Sequence, residues 1–117
     1  MMLLGIDSPE PGQHFADQAK KLLSKLLLEQ NVKVIVHGKD RLGNRLGIIE
    51  MPYGVDPRHE LLKAGLAWTA EREPLPELES MKQEARSNGV GLWGESDPTP
   101  PWTYRRQQTM LGPKSSG

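Results

Sequence analysis

Val32-Lys33-Val34-Ile35-Val36-His37, then Gly38-Lys39-Asp40-Arg41-Leu42-Gly43-Asn44, then Arg45-Leu46-Gly47-Ile48-Ile49-Glu50-Met51, is the stretch that decides the architecture. Val32, Val34 and Val36 alternate with Lys33, Ile35 and His37, the period of a strand whose apolar face is β-branched. The middle segment is polar and glycine-bearing, a connector rather than an element. Residues 45–51 read as a second strand, and Pro52-Tyr53-Gly54 turns the chain. On the N-terminal side, Phe15, Ala19, Leu22, Leu23, Leu26 and Leu27 recur at spacings of three and four, with Lys20, Lys21 and Lys25 on or beside the other face. That is a helix over 13–29. A helix followed by paired strands makes the class α+β.

Further out, Met2-Leu3-Leu4-Gly5-Ile6 reads as a strand or the end of one, and Asp7-Ser8-Pro9-Glu10-Pro11-Gly12 as a rigid loop. Asp56 followed by Pro57 starts a second helix, with a capping acceptor and proline at its first position. It turns Leu61 and Leu62 inward and stops near Gly65, and Leu66-Ala67-Trp68 then reads as buried and extended. A connector over 71–76 leads to a third helix over 77–87, with Leu78, Met81 and Ala85 on one face and a stop at Asn88-Gly89. From Gly91 onward the reading is an irregular tail, pinned by Trp93 and Trp102 and frayed over 112–117.

The 117 residues carry fifteen Lys and Arg against fifteen Asp and Glu, enough chain for one domain. The hydrophobic share of 36% and aromatic share of 5% imply a small aliphatic core. No cysteine is present, which excludes a disulfide framework, thiolate zinc and a cysteine nucleophile. No apolar run approaches the roughly 20 residues of a membrane span, and residues 1–4 are too short for a signal peptide. The neutral total is unevenly spread: seven bases face three acids over 12–45, while five acids face three bases over 71–90. The basic half permits a polyanionic partner, although charge alone favours solvated helix and strand faces.

Several segments, in this order and spacing, resemble the staphylococcal nuclease family: Leu3-Leu4-Gly5-Ile6-Asp7-Ser8-Pro9-Glu10, the lysine-faced helix, residues 32–36, Asp40-Arg41-Leu42-Gly43, and Glu60-Leu61-Leu62-Lys63-Ala64-Gly65-Leu66-Ala67-Trp68. Gly91-Leu92-Trp93 with Pro100-Pro101-Trp102 looks like the family's bacterial members, so the resemblance covers 3–106. It implies an OB-fold-type nuclease domain with three helices over 1–106, and a flexible tail over 107–117. The family's first two strands, with an Asp-Gly-Asp motif, would lie upstream of Met1. The barrel is therefore expected to be incomplete or completed by another chain.

The implied activity is calcium-dependent hydrolysis of phosphodiesters in DNA or RNA, with no organic cofactor. By resemblance Asp7 is the metal ligand, Glu10 handles the attacking water, Arg45 is the phosphate clamp, and Arg41 with Lys39 approaches the nucleic acid. The match is incomplete. Met2 and Asn44 stand where the family carries arginines, Arg45 lies one step late, and Ala70 replaces a tyrosine. A one-residue slip reverses the face that a strand side chain takes, so Arg45 would need a local bulge. Activity is therefore expected to be weak or lost. Two other readings are a non-catalytic nucleic-acid-binding module and a protein that self-associates through an unpaired sheet edge. Without the resemblance, Asp7 and Glu10 would read as an acidic turn capping the helix that follows. His14, His37 and His59 lack ligand spacing, and the three tryptophans read as core before base-stacking platforms.

Overall fold

The computed structural model describes residues 2–28, 31–39, 43–72 and 74–116. The apolar opening divides in two: β1 (Met2–Leu3) and β2 (Ile6–Asp7) belong to different sheets, with Gly5 at φ 86° between them. That left-handed backbone suits glycine, and the space suits it too, because an added Cβ would lie 2.8 Å from a Leu78 side-chain carbon. The expected single strand is thereby corrected to two short ones around a turn.

Helix α1 (Ala16–Leu27) begins three residues later than its periodicity predicts. Gly12 and Phe15 both hold positive φ, so the chain is still turning where the apolar pattern has already begun. Strands β3 (Lys33–Lys39) and β4 (Arg45–Glu50) pair antiparallel, from Lys33 opposite Glu50 to Lys39 opposite Arg45. The register slips between Val36 and Gly38, leaving His37 as the extra residue of a bulge. Strand β1 lies parallel to β4 on its other side, so the sheet order is β1-β4-β3.

Helix α2 (Pro57–Lys63) is capped as its sequence predicts, with Asp56 Oδ1 accepting from the Arg58 amide at 2.9 Å. Strand β5 (Trp68–Thr69) pairs antiparallel with β2, placing Trp68 opposite Asp7. Helix α3 (Pro76–Ser87) follows. The stretch read as an irregular tail carries a fourth helix, α4 (Pro101–Ser116), which crosses the boundary expected at 106. The described residues therefore hold four α-helices where three are expected. The five described strands form one three-stranded and one two-stranded sheet, and no closed barrel exists among the described residues.

The core is aliphatic at one end and aromatic at the other. Leu61, Leu62 and Leu78 are fully buried with Ile6, Leu66 and Ala67 between the helices. Each large side chain there contributes about 1.5–3 kcal/mol. Trp68 packs edge-on against Trp93 at 4.6 Å and against Trp102 at 5.5 Å, so the tryptophans fasten α4 to the body. By contrast the valine face of β3 is left open, with Val34 48% and Val36 53% exposed. No helix among the described residues is long and apolar enough to cross a membrane.

Candidate nuclease site

The site is built on the loop after β2, which enters from a strand pair locked to the core. Ile6 and Asp7 lie opposite Thr69 and Trp68 in the antiparallel ladder, so the Asp7 backbone is fixed by a sheet. The two prolines of Ser8-Pro9-Glu10-Pro11 restrict the next turns, and Glu10 and Gln13 close the loop. The Gln13 amide donates to the Glu10 carbonyl at 2.8 Å, and the Glu10 amide donates to Gln13 Oε1 at 2.8 Å. Behind the loop, Arg58 is buried, and its Nη1 donates to the Leu4 carbonyl at 3.1 Å while its other nitrogens grip Asp56. Burial alone would raise the Asp56 carboxyl, but hydrogen bonds from the Arg58 side chain and amide hold it below its usual range.

The two acids converge on one guanidinium. Arg105 of α4 donates through Nη2 to Asp7 Oδ2 at 2.7 Å and through Nη1 to Asp7 Oδ1 at 3.0 Å and Glu10 Oε1 at 3.1 Å. The fork on Asp7 is the bidentate geometry that makes arginine–carboxylate contacts strong. Asp7 raises the Arg105 proton affinity first, burial works against it, and Glu10 adds to the rise. The next residue, Arg106, pairs with Glu71 at 2.7 Å. The acids do not cap α1, whose first residue lacks a side-chain cap.

Arg105 lines two clefts, one of about 370 Å³ that Asp7, Leu46 and Arg72 also line, and one of about 360 Å³ shared with Glu10 and Tyr104. Arg45 and Lys39 face each other at the end of the hairpin where the connector joins its two strands, both exposed. Strand alternation turns Arg45 away from the side on which Leu46 meets the first cleft. The bulge that could redirect a side chain lies at His37 on β3, and β4 runs on unbroken. The structure thus joins Asp7 and Glu10 through Arg105, Arg45 and Lys39 line neither of the two clefts, and Arg41 lies outside the described residues.

Carboxylate oxygens are the right donors for a hard cation, but calcium takes about six to eight oxygens. Among the described residues no three His, Cys, Asp or Glu side chains gather into a cation site. Three oxygens of the acid pair are already engaged by Arg105. With that contact in place the pair does not fit a calcium ion.

The sequence reading leaves Arg105 inside the tail beyond Gly91 and gives it no role. The available signal is helical: Pro101 suits a first helical position, Trp102 is an aromatic anchor, and Arg105 and Arg106 follow it by three and four residues. If Trp102 faces the body, both arginines must face it too and need acids there.

Residues 1–95 match the family described as Staphylococcal nuclease homologue. An "uncharacterized endonuclease" of Escherichia coli O157:H7 is 33% identical over 107 residues, covering 91% of this chain and 70% of that protein. A second "uncharacterized endonuclease", from Haemophilus influenzae, is 34% identical over 109 residues, covering 92% of this chain and 61% of its own length. A "probable staphylococcal-like nuclease" of Oryza sativa subsp. japonica is 36% identical over 107 residues, covering 91% of this chain and 32% of its own. With the acid-bearing loop, the Asp56-capped helix and the core leucines all inside the matched region, the chain belongs to the staphylococcal nuclease family.

Proposed function

We propose that the domain acts on phosphodiesters of DNA or RNA through the Asp7–Glu10 loop, at a rate well below that of a complete family site. The observation that carries this is the convergence of the two carboxylates on a single cationic group. Glu10 is the proton acceptor: as water attacks phosphorus and the ester P–O bond breaks, its carboxylate takes the water's proton, and the departing sugar oxygen is protonated from solvent. Asp7, clamped by the β2–β5 pair, is the acid that would keep a calcium ligand's role. Arg45 with Lys39 forms a basic edge that meets the polynucleotide backbone, and Arg41, outside the described residues, adds its charge to the same segment of sequence. The rate is low because Met2 and Asn44 carry no charge to the phosphorane, and one such donor is commonly worth about 10²–10³ in rate. The test is single-stranded DNA cleavage with calcium or with chelator, wild type beside Glu10→Gln. Slow cleavage that Glu10→Gln abolishes supports the reading, and a variant that cuts at the wild-type rate removes Glu10 from the mechanism. Salt-sensitive binding without cleavage, indifferent to calcium, would place the chain among binding modules instead.

A second reading rests on β3. It is an edge of its sheet among the described strands, and it exposes Val34 and Val36. An edge with unpaired backbone groups and an apolar face invites pairing with a second copy. Light scattering across a dilution series decides it: a dimer supports self-pairing, and a monomer throughout rejects it.

A further inference from the structure

The acid loop and the last helix meet at one side chain, and the oxygens it uses are the ones a metal ion would need. Arg105 engages both oxygens of Asp7 and Oε1 of Glu10, all within 3.1 Å. Its side chain is 34% exposed against 13% for Asp7, so the guanidinium lies on the solvent side of the acid it covers. It also lines the clefts on either side of the pair, so a ligand entering from either one encounters it. Arginine is planar and permanently charged, and its fork fits a carboxylate edge. The contact is carried by an element of its own. Helix α4 lies beyond residues 1–95, and it is held to the body by Trp102 on Trp68 and by Arg106 on Glu71.

We propose that Arg105 is the built-in cation of the Asp7–Glu10 pair, a positioning residue that fixes the two carboxylates and keeps a divalent cation out until the contact opens. The inference rests on reading Asp7 and Glu10 as the functional site, and it adds what controls that site. A guanidinium and a divalent ion cannot take the same three oxygens at once. Each therefore weakens the other by the same factor. Loss of the Arg105 charge frees the pair, and loss of the neighbouring Arg106 charge does not.

Calcium binding to the full chain, followed by calorimetry, tests this without reading cleavage, so a failure of the proposed nuclease activity leaves the result interpretable. Arg105→Met keeps an apolar stem and removes the charge. It is expected to bind calcium about tenfold more tightly than wild type, or better. Arg105→Lys keeps the charge without the fork and is expected to fall between the two. Arg106→Met is expected to match wild type. In the wild-type chain, saturating calcium should speed amide exchange over residues 101–109, and in Arg105→Met it should leave that exchange unchanged. A folded Arg105→Met, judged by circular dichroism, that binds calcium no better than wild type overturns the proposal, as does a folded variant with no measurable binding. Should Arg105→Met fail to fold, Arg105→Lys decides: tighter binding than wild type supports the proposal, and equal binding overturns it.

Discussion

Asp56 holds two elements at once, and its removal separates their contributions. Its Oδ1 caps α2 by accepting from the Arg58 amide at 2.9 Å, and the same carboxylate takes the Arg58 guanidinium at 2.8–3.2 Å. Arg58 is 7% exposed and carries the Leu4 carbonyl on its remaining nitrogen, so it links the capped helix to the turn that feeds Asp7. Asp56→Ala deletes a cap worth about 1 kcal/mol. It also strands a buried guanidinium, which costs about 3–5 kcal/mol. The two terms share one side chain and do not add cleanly, so the expected loss is about 3–5 kcal/mol, a large part of an ordinary domain's stability of about 5–15 kcal/mol. Asp56→Asn separates them, because asparagine caps a helix as well as aspartate but leaves Arg58 without an opposite charge. The expected order of stability is wild type, then Asp56→Asn, then Asp56→Ala. Urea unfolding followed by fluorescence of the Trp68, Trp93 and Trp102 cluster measures it. The acid limb gives a second check. The folded Asp56 carboxyl titrates below its unfolded value, so its contribution is whole above the ordinary carboxylate range and is lost as pH falls through the folded value. Asp56→Asn should flatten that part of the profile. An Asp56→Ala variant within about 0.5 kcal/mol of wild type would show that Arg58 finds water or another partner, and the linkage argued here would fail.

Gly65 and Gly91 press together where α2 ends. A Cβ on Gly65 would lie 2.0 Å from the Val90 carbonyl oxygen, and its φ of +69° is left-handed. Gly65→Ala should cost about 1–2 kcal/mol from the backbone alone, and more from the clash, seen as a lower urea midpoint. Trp102→Ala removes the anchor of α4 while leaving both arginines in place. It should quench little of the helical signal of α2 and α3 but loosen amide protection across residues 101–109, and unchanged protection would mean that the ion pairs alone hold α4.

What could be read in the residues follows the range of the forces involved. The Asp56 cap, the inward Leu61 and Leu62, and the face of α3 were legible because each is set by neighbours within a few positions. The start of α1 was misplaced by three residues, because the apolar pattern runs through Phe15 while the backbone there is left-handed. That conformation is imposed by the loop and leaves no mark in the periodicity. The valines of β3 announced an apolar face correctly but said nothing of what would cover it, and among the described residues nothing buries Val34 or Val36. Asp7 and Glu10 are singled out only by the resemblance to the nuclease family, and their partner by no signal of that kind, since Arg105 is 98 positions from Asp7. A contact of that separation depends on the register of α4 against Trp68, which no local pattern encodes. The loop supplies the negative charge, and the helix alone decides what neutralises it. A reading confined to the loop therefore finds two acids close together and misses the guanidinium that meets them.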